Sequence, residues 1–180
     1  MKIAYLVGSL SESSLNRALS KALVSVAPEG VELVEVEIKD LPLYNRDVDA
    51  SFPQAATDFK AALAEADGVI LLTPEHNRMF SAALHNALEW SSRPYGQFSF
   101  FAKPVATIGT SPSGIGTAAG QQPLRAMLQH FNARLMGQPE GYINAMTSGI
   151  QADGSIESES TEKFLTSWVA SFVDFVKNTK

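Results

Sequence analysis

Three observations on this chain of 180 residues predict a doubly wound α/β fold with a parallel sheet. Short, almost wholly apolar runs recur along it, amphipathic stretches at helical spacing separate them, and the turns between are rich in Gly, Pro, Ser and Asn. Strands covered by helices on both faces have no solvent side to alternate with, so they read as continuous apolar runs. At this length a single domain spanning 1–180 is expected, burying roughly two thirds of the surface of its unfolded chain.

The first strand is residues 2–7, ending in Ile3-Ala4-Tyr5-Leu6-Val7. Leu15, Ala18, Leu19, Ala22 and Leu23 then give the apolar face of a helix over about 14–26. Pro28-Glu29-Gly30 turns the chain into a second strand, 31–38, whose apolar residues partly alternate with glutamates. One wetter face puts that strand near a sheet edge. After an irregular stretch, 40–53, a helix over about 54–66 presents Ala55, Phe59, Ala62, Leu63 and Ala66. Residues 68–73 form a short core strand, and a helix over about 81–92 ends at Arg93-Pro94.

The connection 95–101 is rich in aromatic residues, and residues 104–110 form a fourth strand. A helix through Leu124, Met127, Leu128 and Phe131 leads to a fifth strand at 134–136, extending patchily to Ile143. Residues 147–160 read as an exposed loop, and a last helix, about 161–177, buries Phe164, Leu165, Trp168, Val169, Phe172 and Val176. Five strands with these connections fit a flavodoxin-like three-layer sandwich of order 2-1-3-4-5 with helices on both faces. Ligands of such folds bind beyond the carboxyl ends of the strands.

Composition narrows the chemistry. A net charge of −5 without a basic stripe argues against a nucleic-acid partner and against a membrane surface. The chain has no cysteine, so thiolate catalysis, disulfides and Cys-type metal sites are excluded. Redox chemistry would have to come from a cofactor. Carboxylates are not clustered at ligand spacing, and a metal site is not expected. The chain enters its first strand at once and has no apolar stretch of transmembrane length, which points to the cytoplasm.

Three loops meet at the predicted ligand end. The first, Gly8-Ser9-Leu10-Ser11-Glu12-Ser13-Ser14-Leu15-Asn16, places four serines and an asparagine at a helix N-terminus. Free backbone N–H groups and the positive end of the helix dipole converge there, which suits a phosphate monoester; Ser13 or Ser14 could also simply cap the helix. The second, Thr73-Pro74-Glu75-His76-Asn77-Arg78-Met79-Phe80, has a proline directly after a core strand, stopping the ladder and freeing backbone groups for a flat heteroaromatic ligand; from spacing alone an ordinary strand-to-helix connection with Glu75 and Arg78 in solvent reads equally well. The third, Ser111-Pro112-Ser113-Gly114-Ile115-Gly116, lets backbone approach a ligand closely, as any Gly and Ser turn would.

These residues carry a resemblance. Gly8-Ser9-Leu10 with Ser14 and Asn16, Leu41-Pro42-Leu43-Tyr44-Asn45 with Asp47, and Pro74-Glu75 with Asn77, Leu84, Asn86-Ala87 and Trp90 through Ser92-Arg93-Pro94 resemble the NADPH-dependent FMN reductase family. That family includes bacterial quinone and chromate reductases. The resemblance implies noncovalent FMN, with Ser9, Ser11, Ser14, Leu15 and Asn16 at the phosphate end. Pro74, Glu75, His76, Asn77 and Arg78 would line the flavin, largely through main chain, and Ser111, Ser113 and Gly114 would close the third side.

Asn86 and Trp90 would anchor the helix that supports the second loop. Family members commonly have arginine where this chain has Ser11, a charge-assisted contact of about 1.5 to 3 kcal/mol where made, and tyrosine where it has His76. Arg78 could replace the missing charge, engage a nicotinamide nucleotide phosphate, or meet a neighbouring subunit. No catalytic residue is assigned, because the flavin carries the chemistry.

The resemblance further implies NADPH or NADH as electron donor, a small acceptor such as a quinone, free flavin or an oxyanion, and a homodimer or homotetramer. Arg93, Arg125 and Glu140 are candidates for subunit contacts. Tyr95, Phe98, Phe100 and Phe101 form either an interface or a satellite core cluster. The competing reading is a non-enzymatic flavin-binding protein or electron carrier.

Overall fold

The computed structural model describes residues 1–179 and orders them as β1 (Lys2–Val7), α1 (Leu15–Ser25), β2 (Glu32–Glu35), a 3-10 turn (Arg46–Val48), α2 (Gln54–Glu65), β3 (Gly68–Leu72), α3 (Ala82–Ser91), β4 (Pro104–Ser111), α4 (Ala118–His130), β5 (Arg134–Leu135), β6 (Gly141–Asn144) and α5 (Glu159–Asn178). All strand pairs are parallel, in the order β2-β1-β3-β4-β5. The expected flavodoxin-like order holds, and β2 lies at the expected edge.

Each core strand feeds two layers. In β3, Val69 and Leu71 face one apolar cluster while Ile70 and Leu72 face the other, which is why this strand shows no polar alternation. The first cluster packs α2, α3 and α4 through Phe59, Leu63, Leu84, Leu88, Leu124 and Leu128. The second packs α1 and α5 through Leu19, Leu23, Leu165 and Phe172. Full burial of each such side chain contributes about 1.5 to 3 kcal/mol, so these two layers hold the frame on which the loops sit. Trp90 and Trp168 are wholly buried, and each donates its indole N–H to a proline carbonyl, Pro42 and Pro139 respectively.

One expectation is made more definite and one needs correction. The fifth strand, expected to be patchy, is two separate pieces: Arg134–Leu135 pairs with Pro104 and Val105, and Gly141–Asn144 pairs with Ile108 to Ser111. Between them Gly137, Gln138 and Pro139 interrupt the ladder, Pro139 having no N–H to donate. The segment 147–160 is not simply exposed. Ile150 and Ile156 form an antiparallel bridge and pack against the α1 and α5 cluster, Ser148 and Gly154 are buried, and α5 begins early because Ser158 caps it by accepting from the Thr161 N–H.

The aromatic connection is a core cluster only in part. Phe100 is buried and Phe98 half-buried against Phe131, while Tyr95 and Phe101 stand in solvent. No helix among the described residues is long and apolar enough to cross a membrane.

Candidate functional site

The three predicted loops leave the carboxyl ends of β1, β3 and β4, and backbone contacts tie those ends together. Gly8 donates its N–H to the Leu72 carbonyl at 2.7 Å, and Thr73 donates to Ile108 at 3.0 Å. A Cβ at Gly8 would lie 3.0 Å from both the Leu72 carbonyl and the Ser81 hydroxyl, so any larger residue would push the start of the first loop away from β3 and α3 by a few tenths of an ångström.

In the first loop Ser14 caps α1, its Oγ accepting from the Arg17 N–H at 3.2 Å. The structure thus uses Ser14, not Ser13, as the cap. No backbone amide from Ser9 to Asn16 finds an acceptor among the described residues, and Ser11, Ser13 and Leu15 are exposed. Ser9 is half-buried beside them. The Asn16 side chain is not one of the loop's donors, contrary to expectation. It is 2% exposed and bonds both the carbonyl and the N–H of Thr110 at 3.0 Å, pegging α1 to the end of β4. Its backbone N–H remains free. Arg17, the nearest cation in sequence, donates to both carboxylate oxygens of Glu35 at 2.8 Å and is not spare.

The second loop is pinned by its own bonds. His76 and Met79 exchange backbone hydrogen bonds at 3.0 and 2.9 Å, and the two residues between them, Asn77 and Arg78, have φ of 53° and 65°. Positive φ at both central positions is the signature of a type I′ turn, which Asn tolerates well. Pro74 is buried, and its carbonyl accepts from the Thr73 hydroxyl at 2.7 Å. The Glu75 carboxylate, 6% exposed, accepts from the Gly120 N–H and from the Arg78 guanidinium, each at 2.9 Å. His76 is exposed.

In the third loop the Ser111 and Ser113 hydroxyls both donate to the Gly116 carbonyl and lie 2.9 Å apart, closing a tight turn. Gly114 at its tip is exposed, and a Cβ there would meet nothing within 4 Å. A depression of about 350 Å³ separates the second and third loops, lined by Glu75, Asn77, Arg78, Ser111, Pro112 and Ser113. Leu10, Leu15, Met79 and Ile115, one or two from each loop, are exposed apolar residues around this end. A larger groove of about 600 Å³ lies between β6 and α5 and holds none of the predicted site residues. Volume alone therefore does not choose the site.

Asn86 and Trp90 anchor the support as expected: Asn86 accepts from the Tyr44 N–H and donates to the Pro42 carbonyl, which also receives the Trp90 indole. Arg93, Arg125 and Glu140 bond within the chain, to Tyr44, Thr107 and Tyr142. Sequence reasoning missed Gly109 and Gly120. A Cβ at Gly109 would fall 2.2 Å from the Thr73 carbonyl and 2.4 Å from the Thr117 hydroxyl, and one at Gly120 would fall 3.0 Å from the Met79 carbonyl. Their partners lie far off in sequence, so no local signal marks them.

This donor set fits a flavin mononucleotide. A run of unbonded amides at a helix N-terminus, flanked by neutral hydroxyls, accepts a phosphate, and a rigid turn facing a small-residue loop accepts a flat ring. Comparison with known proteins agrees. The family model described as NADPH-dependent FMN reductase matches residues 1–147. The chain is 44% identical over 180 residues to a 2-hydroxy-1,4-benzoquinone reductase of Burkholderia, covering all of this chain and 98% of that one. It is 39% identical over 176 residues to a quinone reductase of Pseudomonas putida, covering 97% and 94%. The solved structure of FerB, a flavoenzyme NAD(P)H:(acceptor) oxidoreductase from Paracoccus denitrificans, superposes with a TM-score of 0.93 at 40% identity over 99% of this chain and 98% of that one.

Proposed function

We propose, from the premise that this chain belongs to the NADPH-dependent FMN reductase family and is a flavin-dependent oxidoreductase using NAD(P)H, that its acceptor is a quinone. The observation that carries the site assignment is the run of unbonded amides from Ser9 to Asn16, at the same end of the parallel sheet as the pinned turn at Asn77 and Arg78. The amides of Leu15 and Asn16, with the hydroxyls of Ser9, Ser11 and Ser14, hold the FMN phosphate. Backbone from Pro74 to Arg78 and from Ser111 to Gly114 lines the ring, with Leu10, Met79 and Ile115 as apolar walls that exclude water beside it.

Bound FMN supplies hydride acceptance from the nicotinamide and two-electron donation to the acceptor. The balance is NAD(P)H plus quinone plus one proton giving NAD(P)+ plus hydroquinone, the extra proton coming from water. Protein groups therefore bind and orient the two planar substrates in turn, and no side chain need act as acid or base. The whole chain works as one cytoplasmic domain, assembled as a homodimer or homotetramer. The exposed rings of Tyr95 and Phe101 offer apolar surface that such an assembly would cover.

The test is direct. The purified protein should show the visible spectrum of bound flavin, bleach with NADPH or NADH in the absence of oxygen, and recover colour on adding 1,4-benzoquinone. Flavin that binds but is reduced by neither nucleotide would favour an electron carrier. Bleaching without recovery would exclude the quinone.

A further inference from the structure

Glu75 has a buried carboxylate that the electron transfer itself does not require. One oxygen accepts from the Gly120 N–H and the other from Arg78, each at 2.9 Å. Gly120 is the third residue of α4, and that helix has no cap of its own. Thr117 at its N-cap makes no capping bond, its hydroxyl receiving the Gln121 amide at 2.8 Å instead. The Glu75 carboxylate, 45 residues away in sequence, fills that place and sets a negative charge at the positive end of the helix. The approach is close throughout, because a Cβ on Gly120 would lie 3.3 Å from the Glu75 Cγ and 3.0 Å from the Met79 carbonyl.

We propose that Glu75 is a positioning residue: it locks the turn 76–79 to the start of α4, and its charge beside the depression biases the bound flavin toward the oxidised form. This rests on the FMN reading of the site. The physical reason is that one side of the second loop would face the ring while its other side is bonded to α4, so freeing α4 frees the ring contacts. The carboxylate is fixed and 6% exposed, whereas its partner Arg78, which lines the same depression, is 69% exposed and screened by water, so the pair's net effect disfavours added negative charge on the ring.

Two variants separate the lock from the charge. Glu75→Ala removes both, and the dissociation constant for FMN should rise about tenfold, the effect of losing a bond to a charged group. Glu75→Gln keeps an oxygen that accepts from Gly120, so affinity for oxidised FMN should return to within about threefold of the parent. The same variant should tighten reduced relative to oxidised FMN by about threefold, read as a rise in midpoint potential. A merely structural residue would leave the potential of Glu75→Gln unchanged, and that result overturns the charge effect.

Amide exchange at Gly120 in the protein without flavin reads the lock independently. It should quicken about tenfold in Glu75→Ala and be restored in Glu75→Gln. Unchanged exchange in Glu75→Ala overturns the lock. Failure of the parent protein to bind FMN would instead overturn the flavin reading, while the exchange rates still decide the lock.

Discussion

Between Ser9 and Ser13 the described chain makes one hydrogen bond, between the Ser11 and Ser13 hydroxyls at 3.3 Å. Between Pro74 and Met79 the backbone of His76 and Met79 pairs twice, and Glu75 is bonded from two directions. One loop keeps its donors free; the other spends them on its own shape. A phosphate brings charge and three acceptor oxygens and can order a loose loop around itself. A flat, uncharged ring offers its polar atoms only along its edge, so its contacts must be rigid beforehand to bind without a large ordering cost. The contrast shows where order is supplied by protein and where by ligand.

Four substitutions break or sharpen that contrast. The largest effect is expected for Gly109→Val, which drives a side chain into the Thr73 carbonyl beneath the second loop. Thermal unfolding should show a loss of about 3 kcal/mol or more, and a stable variant would mean that the pinned loop does not depend on this close approach. Next is Asn16→Ala, which leaves the Thr110 N–H and carbonyl buried without partners. Denaturant unfolding should show a loss of about 2 to 4 kcal/mol, against a much smaller loss for Ser9→Ala in the loose loop.

Ser11→Arg tests the loose loop by adding a cation to a cradle made of neutral donors. FMN should bind about tenfold more tightly, near 1.5 kcal/mol, with little change in the melting of the flavin-free protein. Unaltered affinity would show that the amides already saturate the phosphate. The smallest effect is expected for Arg78→Gly. Relief of the left-handed backbone offsets part of the lost contact to the buried Glu75 carboxylate, so stability should fall by no more than about 1 kcal/mol. A drop well beyond that would make Arg78 part of the pinning itself.

The layers were legible because burial on both faces leaves an unbroken apolar signature, as in Val69 to Leu72. The three loops were legible because turn and phosphate chemistry uses few residue types at short spacing. What could not be read is what joins distant residues. Asn16 looks like a donor for the first loop until Thr110, 94 positions away, claims it. Glu75 looks solvated until Gly120 is seen to lack any other acceptor. The split of the fifth strand at Pro139 was visible only as patchiness, since two residues of pairing leave too short a pattern to recognise.

That split edge has a consequence for the life of the chain before and between encounters with flavin. Both margins of the sheet are broken into pieces of four residues or fewer: Glu32–Glu35 on one side, Arg134–Leu135 and Gly141–Asn144 on the other. An intruding strand needs a long, flat row of unpaired peptide groups to grip, and neither margin offers one; the first also carries glutamates at both ends. Such a sheet should resist edge-to-edge stacking and fibril growth even when partly opened, remaining recoverable rather than lost to aggregation.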